Sequence, residues 1–103
     1  MRLKVKSTVR PKSLWILAAL VNSALDLHLT ADMLVTSGND STHAEGSRHY
    51  EDAALDFRTK HLSPKDKYAL IARLGERLGL DYDVLLEAEG TPNEHGHCEY
   101  DPT

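Results

Sequence analysis

One cysteine, one tryptophan and one phenylalanine among 103 residues leave little material for several common architectures. A lone Cys98 excludes an intrachain disulfide and any cysteine-rich zinc cluster. Twelve Lys and Arg against sixteen Asp and Glu give a net charge of −4. The basic excess that drives binding to a phosphate backbone is therefore missing, and nucleic acid is not an expected partner. No apolar run approaches the ~18 residues of a membrane span, so no membrane insertion is expected. The four prolines and six glycines are scattered, with no internal repeat and no low-complexity segment. A chain of this length buries only roughly 65% of its unfolded surface, so its stability is modest and a bound metal would add to it. We expect a single domain over residues 1–103, acting as a monomer.

What the sequence does have, out of proportion to its size, is histidine, six in all. The segments around them can be placed by pattern. Arg2, Lys4, Lys6, Arg10 and Lys12 followed by the apolar run Leu14 to Val21 imitate a secretory leader. Yet Leu14, Leu17, Ala18, Val21 and Leu25 recur as one face of an amphipathic helix, with Asn22, Ser23 and Asp26 on the other. We read this stretch as part of the domain, with no evident signal peptide and synthesis in the cytoplasm. His28 falls on the helix surface. Asp32 to Thr36 reads as a short strand, and the turn formers from Ser37 to Thr42 lead into a polar loop carrying His43.

Ala53 to Arg58 alternates as a strand, with Leu55 and Phe57 toward the core and Asp56 and Arg58 on the opposite face. His61 follows in a surface loop. Ser63, Pro64 and Asp66 form a helix start, and Leu70, Ile71, Leu74 and Leu78 line one face until Gly79. Asp83 to Glu89 and His95 to Tyr100 read as two strands joined through Gly90, Thr91, Pro92 and Asn93. On the last strand His95, His97 and Glu99 share a face, and Cys98 points to the core as a small apolar side chain.

Zinc in a hydrolytic site takes three protein ligands from His and carboxylate, and His49, Asp56 and His97 supply such a set. From spacing alone, His-x6-Asp is a weak motif, which six histidines would produce by chance roughly half of the time. The surroundings are more specific. Val35-Thr36-Ser37-Gly38, then His43-Ala44-Glu45-Gly46-Ser47-Arg48-His49 running on to Asp56, and finally His95-Gly96-His97-Cys98, occur in an order that resembles the superfamily of Hedgehog N-terminal domains and D-Ala-D-Ala metallopeptidases.

That resemblance, covering about Leu14 to Tyr100, implies an α+β fold: a small antiparallel sheet backed by about two or three helices, with one zinc ion on the sheet held by His49, Asp56 and His97. It implies a zinc metallopeptidase, a hydrolase of the carboxypeptidase or endopeptidase kind acting on peptidoglycan peptides or other short peptides. A phage or bacterial enzyme of this kind reaches the cell wall after lysis or within a phage particle. The general base would be Glu94, three positions before the last zinc histidine as in peptidases of the superfamily, or Glu87, where Hedgehog-like sequences put a glutamate; Glu89 is a third, weaker choice. His43, six residues before His49, would contact substrate or the developing oxyanion, and His95 would assist beside the ligands.

Two departures from the pattern weaken the peptidase reading, and the alternative is a zinc-bound, non-catalytic binding module of Hedgehog-like fold. Where wall-cleaving members have Ser-Gly-Tyr-Arg, this chain has Ser37-Gly38-Asn39-Asp40 and lacks the arginine; Arg48 or Arg58 could substitute only by facing the cleft. Asp52 also replaces a glycine frequent three residues after the first zinc histidine.

Overall fold

The computed structural model describes residues 1–6, 8–37 and 53–102. His43, Arg48, His49 and Asp52 lie outside them. In chain order the elements are β1 (Leu3–Val5), a single 3-10 turn (Pro11–Ser13), α1 (Leu14–Asp26), β2 (Met33–Ser37), β3 (Ala54–Arg58), α2 (Pro64–Leu78), β4 (Tyr82–Glu87) and β5 (His95–Tyr100). The five strands form one sheet in the order β1-β2-β3-β5-β4. The α+β class is as expected, with two helices, but the sheet is mixed. β1 pairs parallel with β2, while every other pairing is antiparallel. The basic N-terminus is thus an edge strand, which three residues alternating with Lys and Arg do not announce in the sequence.

Both helices pack on one face of the sheet. The core joins Ile16, Leu20 and Ala24 of α1, Leu70, Leu74 and Leu78 of α2, and Val35, Leu55, Phe57 and Cys98 of the strands. Alternation along β3 buries Leu55 and Phe57 completely and leaves Asp56 and Arg58 half-buried on the other face. α2 begins as its sequence predicts, because the Ser63 hydroxyl accepts the Asp66 N–H at 3.1 Å and Pro64 opens the helix. It ends at Gly79, whose φ of 86° suits a residue without a Cβ.

The first helix is turned differently from its expected orientation. Ile16, Ala19, Leu20, Ser23 and Ala24 are buried, whereas Leu14 and Leu25 are more than half exposed. The sequence Leu-Trp-Ile-Leu-Ala-Ala-Leu-Val is apolar on nearly every side, so two faces satisfy the same periodicity. Contacts outside the helix choose between them. The Ser13 hydroxyl donates to the Ala54 carbonyl at 3.2 Å, tying the start of α1 to β3. At the other end Asp26 accepts from Arg73 at 2.9 Å and Arg77 at 2.6 Å, both on α2. His28, exposed and with a φ of 56°, turns the chain out of α1.

Candidate functional site

The sheet face away from the helices is organised by strand register. Pairing of β3 with β5 sets Asp56 opposite His97 and Arg58 opposite His95, and pairing of β5 with β4 sets Glu87 opposite His95. Side chains two residues apart share a face, so Glu99 joins His95 and His97. Directly opposed side chains on neighbouring strands lie within contact range. Sequence positions 56, 87 and 97 are thereby brought together.

Gly96, between the two histidines, faces the core opposite Phe57. A Cβ at that position would overlap the Phe57 ring. The glycine therefore lets the largest side chain of the core lie flat under β5, and it keeps β5 close to β3.

His97 is the centre of the cluster. Its Nδ1 donates to Asp56 Oδ1 at 2.6 Å and its Nε2 to Glu99 Oε1 at 3.1 Å, with Glu87 Oε1 at 3.9 Å from Nδ1. Burial disfavours the charged ring, but its hydrogen bonds to Asp56 and Glu99 and the charges of Asp56 and Glu87 outweigh it and raise the pKa to about 9. Next to it, His95 Nε2 donates to Glu87 Oε1 at 3.3 Å, and His95 Nδ1 lies 2.7 Å from the Asn93 carbonyl. Glu87 itself is nearly half exposed, so solvent or a ligand reaches it.

Glu94 is placed otherwise. Its carboxylate accepts from Lys67 Nζ at 2.8 Å, from the Thr59 hydroxyl at 2.7 Å and from the Gly90 N–H at 3.1 Å. Its side chain is almost fully buried and the Lys67 side chain nearly so. These bonds, that from Lys67 foremost, hold its pKa at about 2. Such a carboxylate is an anchor joining the β4–β5 loop to α2 and the end of β3, and a weak proton acceptor. Glu89 turns toward α2, where it accepts from Tyr68. Cys98 is fully buried, and burial pushes its thiol pKa up, as befits a core side chain. His61 lies on the surface and bonds the Asp32 carbonyl at 2.7 Å.

Asp56 and His97 offer a carboxylate oxygen and an imidazole nitrogen side by side, a donor pair of the type zinc takes. They fit such an ion as two ligands of a set. Among the described residues no group of three metal-capable side chains assembles, and His49 and His43 lie outside those residues. The sequence pattern missed the partners that fix the cluster's electrostatics. Glu99 was legible only as sharing a face with the histidines, and nothing in the pattern linked Lys67 or Thr59 to Glu94.

The chain matches the Hedgehog amino-terminal signalling domain family over residues 4–90. The matched stretch contains Asp56 and Glu87 and stops before β5. No curated protein matches the chain. With most of its length matched, the chain belongs to the Hedgehog amino-terminal signalling domain family.

Proposed function

We propose that this chain is a metal-binding module of Hedgehog type that holds one zinc ion through Asp56, His97 and His49 and uses the sheet face around Asp56 and His97 to bind a short peptide. One observation carries the reading: the 2.6 Å contact between Asp56 and His97, opposed in register on neighbouring strands. A contact fixed by backbone pairing is preorganised, so little is lost in ordering the two donors when an ion arrives. In the metal-free chain His97 is held protonated between Asp56 and Glu99. Metal binding therefore has to displace that proton, which makes affinity rise with pH.

A second reading, hydrolysis of a short peptide such as those of peptidoglycan, is favoured by one feature. Glu87 stands 3.9 Å from His97 and is open to solvent. Zinc, when bound, supplies the Lewis acidity that polarises a scissile carbonyl. This chain's own contribution would be a carboxylate able to take a proton from attacking water and return it to the leaving amine. Glu87 suits that role better than Glu94, whose proton affinity is lowered by three donors.

Zinc content per chain, measured by elemental analysis alongside product release from peptidoglycan peptides, tests both readings. One zinc in the wild type, lost in Asp56→Asn and His97→Ala, supports the metal module; no zinc after reconstitution overturns it. Product release that disappears in Glu87→Gln with zinc retained would establish the hydrolytic reading in place of simple binding.

A further inference from the structure

The two ends of the sheet carry opposite charge. Its order, β1-β2-β3-β5-β4, leaves β1 and β4 as edges, each with one neighbouring strand among the described residues. Residues 1–25 hold five Lys and Arg and no Asp or Glu, whereas residues 78–103 hold seven Asp and Glu and no Lys or Arg. We propose that a second copy of this chain docks its β1 on the outer edge of β4, in the groove between β4 and α2, so that the two sheets run on edge to edge.

The groove is shaped for a strand. A cavity of about 710 Å³ lies beside β4, walled by Ile71, Gly75 and Glu76 of α2, by Leu80, and by Asp83 and Val84 of β4 itself. Val84 opposes the buried Cys98 and so lies on the helix side, while Asp83 opposes Glu99 on the open side. A cavity that touches both faces of β4 follows its edge. Such an edge offers backbone donors and acceptors to an added strand, and the walls of the groove receive alternate side chains. Leu80, at its rim, is fully exposed.

The pattern of β1 matches what the groove presents. Arg2-Leu3-Lys4-Val5-Lys6 alternates basic and apolar. Leu3 and Val5 pair in register with the core residues Met33 and Val35, which puts them on the helix side, yet they remain 42% and 43% exposed. Lys4 lies on the open side, as Asp83 does. One parallel and three antiparallel pairings make β4 run opposite to β1. A copy displaced along the sheet without rotation therefore presents β1 antiparallel to β4, with both sets of helices on one side. Leu3 and Val5 then meet the Ile71 and Val84 wall, and Lys4 and Lys6 meet the acidic rim. Asp83 is short of cations: its hydrogen bond with Asp101, burial and the charges of Asp101 and Glu99 raise its pKa.

Charge also selects against the other pairings. Two β1 edges would oppose lysines and two β4 edges would oppose carboxylates, and each juxtaposition is repulsive. The favoured contact is heterologous. A pair joined this way keeps one free edge of each kind, so assembly continues head to tail. Because β1 has only three residues, each contact is small and the association weak.

The test is sedimentation velocity of the full chain, zinc-supplemented and chelator-treated, over a roughly hundredfold range of concentration reaching about 1 mM. Amide resonances are followed over the same range. We expect average mass to rise with concentration and the shifts to concentrate in β1 and β4. The double variants Lys4→Glu/Lys6→Glu and Glu76→Lys/Asp83→Lys should each weaken association roughly tenfold or more. An equimolar mixture of the two should recover it, because the acidic β1 of one then meets the basic groove of the other. Circular dichroism checks their folding, and Lys6→Glu and Asp83→Lys serve singly if a double variant unfolds.

A chain that stays monomeric throughout overturns the proposal. So does association that persists in both double variants, shifts that leave β1 and β4 untouched, or a mixture of folded variants that fails to associate. The acetylated and amidated peptide of residues 2–6 supplies the remaining arm. If it shifts β4 amides in a chain that does not self-associate, the groove belongs to a separate basic peptide and the second copy is overturned.

Discussion

Glu94 and Asp56 are carboxylates in two clusters close to the same strand, and each sits within hydrogen-bond distance of a basic side chain. Glu94 is enclosed, with Lys67, Thr59 and the Gly90 N–H all donating to it. Asp56 is half-buried, and its partner His97 is shared among Asp56, Glu99 and the more distant Glu87. In the first cluster donors outnumber the single carboxylate; in the second the three carboxylates Asp56, Glu87 and Glu99 outnumber the two imidazoles of His95 and His97. The first arrangement is closed and holds a loop. The second places more carboxylates than imidazoles on an open face, an arrangement that attracts a cation. Burial of a carboxylate near a candidate site thus says little about its role until its donors are counted.

The sharpest way to break this distinction is metal content. His97→Ala should take zinc from about one per chain to nearly none, while Glu94→Gln should keep it, since an anchor does not coordinate. Loss of zinc in Glu94→Gln, with the fold intact by circular dichroism, would merge the two clusters into one. Gly96→Ala comes next, because it presses the Phe57 ring and shifts β5 on β3. It should cost about 1–3 kcal/mol in urea unfolding and also weaken zinc binding. An unchanged midpoint would show that the strand can move aside freely.

Acid and alkali should act on opposite clusters. In chelator-treated protein the contribution of His97 is complete below its ordinary pKa of 6.5 and is lost as pH rises through about 9. The loss should amount to about 1–2 kcal/mol, allowing for solvent screening. Glu94 is the reverse: its contribution is complete above 4.5 and disappears as pH falls through about 2. A melting profile against pH should therefore lose its alkaline limb in His97→Gln and its acid limb in Glu94→Gln. If either substitution flattens the other limb, the assignment of those limbs fails. The smallest effect belongs to a change that leaves both clusters alone. Ser63→Ala removes the α2 cap and should cost about 1 kcal/mol, with zinc content unaltered.

Much of the open face was legible from local pattern. The alternation of Leu55, Asp56, Phe57 and Arg58 assigns each side chain its face, and the structure buries the two apolar ones. The shared face of His95, His97 and Glu99 follows from the same period of two. The identity of the neighbours did not follow. The sequence offered Glu94 and Glu87 as alternative bases near the last histidines, and they differ in the structure because Lys67 reaches one from α2 while strand register delivers the other to His97 and His95. Those partners are 27 residues away for Glu94 and 8 to 10 for Glu87, a range at which periodicity carries no information.

The helices make the same division. By itself the sequence determined α2, its cap, its apolar face and its glycine stop, because each of those is a relation among residues within a few turns of one another. It also determined that Leu55, Phe57 and Cys98 face inward on their strands. Only the tertiary structure decided which side of the nearly all-apolar α1 is buried, whether the basic N-terminus joins the sheet, and which glutamate is an anchor. In those three cases several local solutions have nearly equal energy. The choice falls to packing, strand pairing and charge contacts between elements distant in the chain.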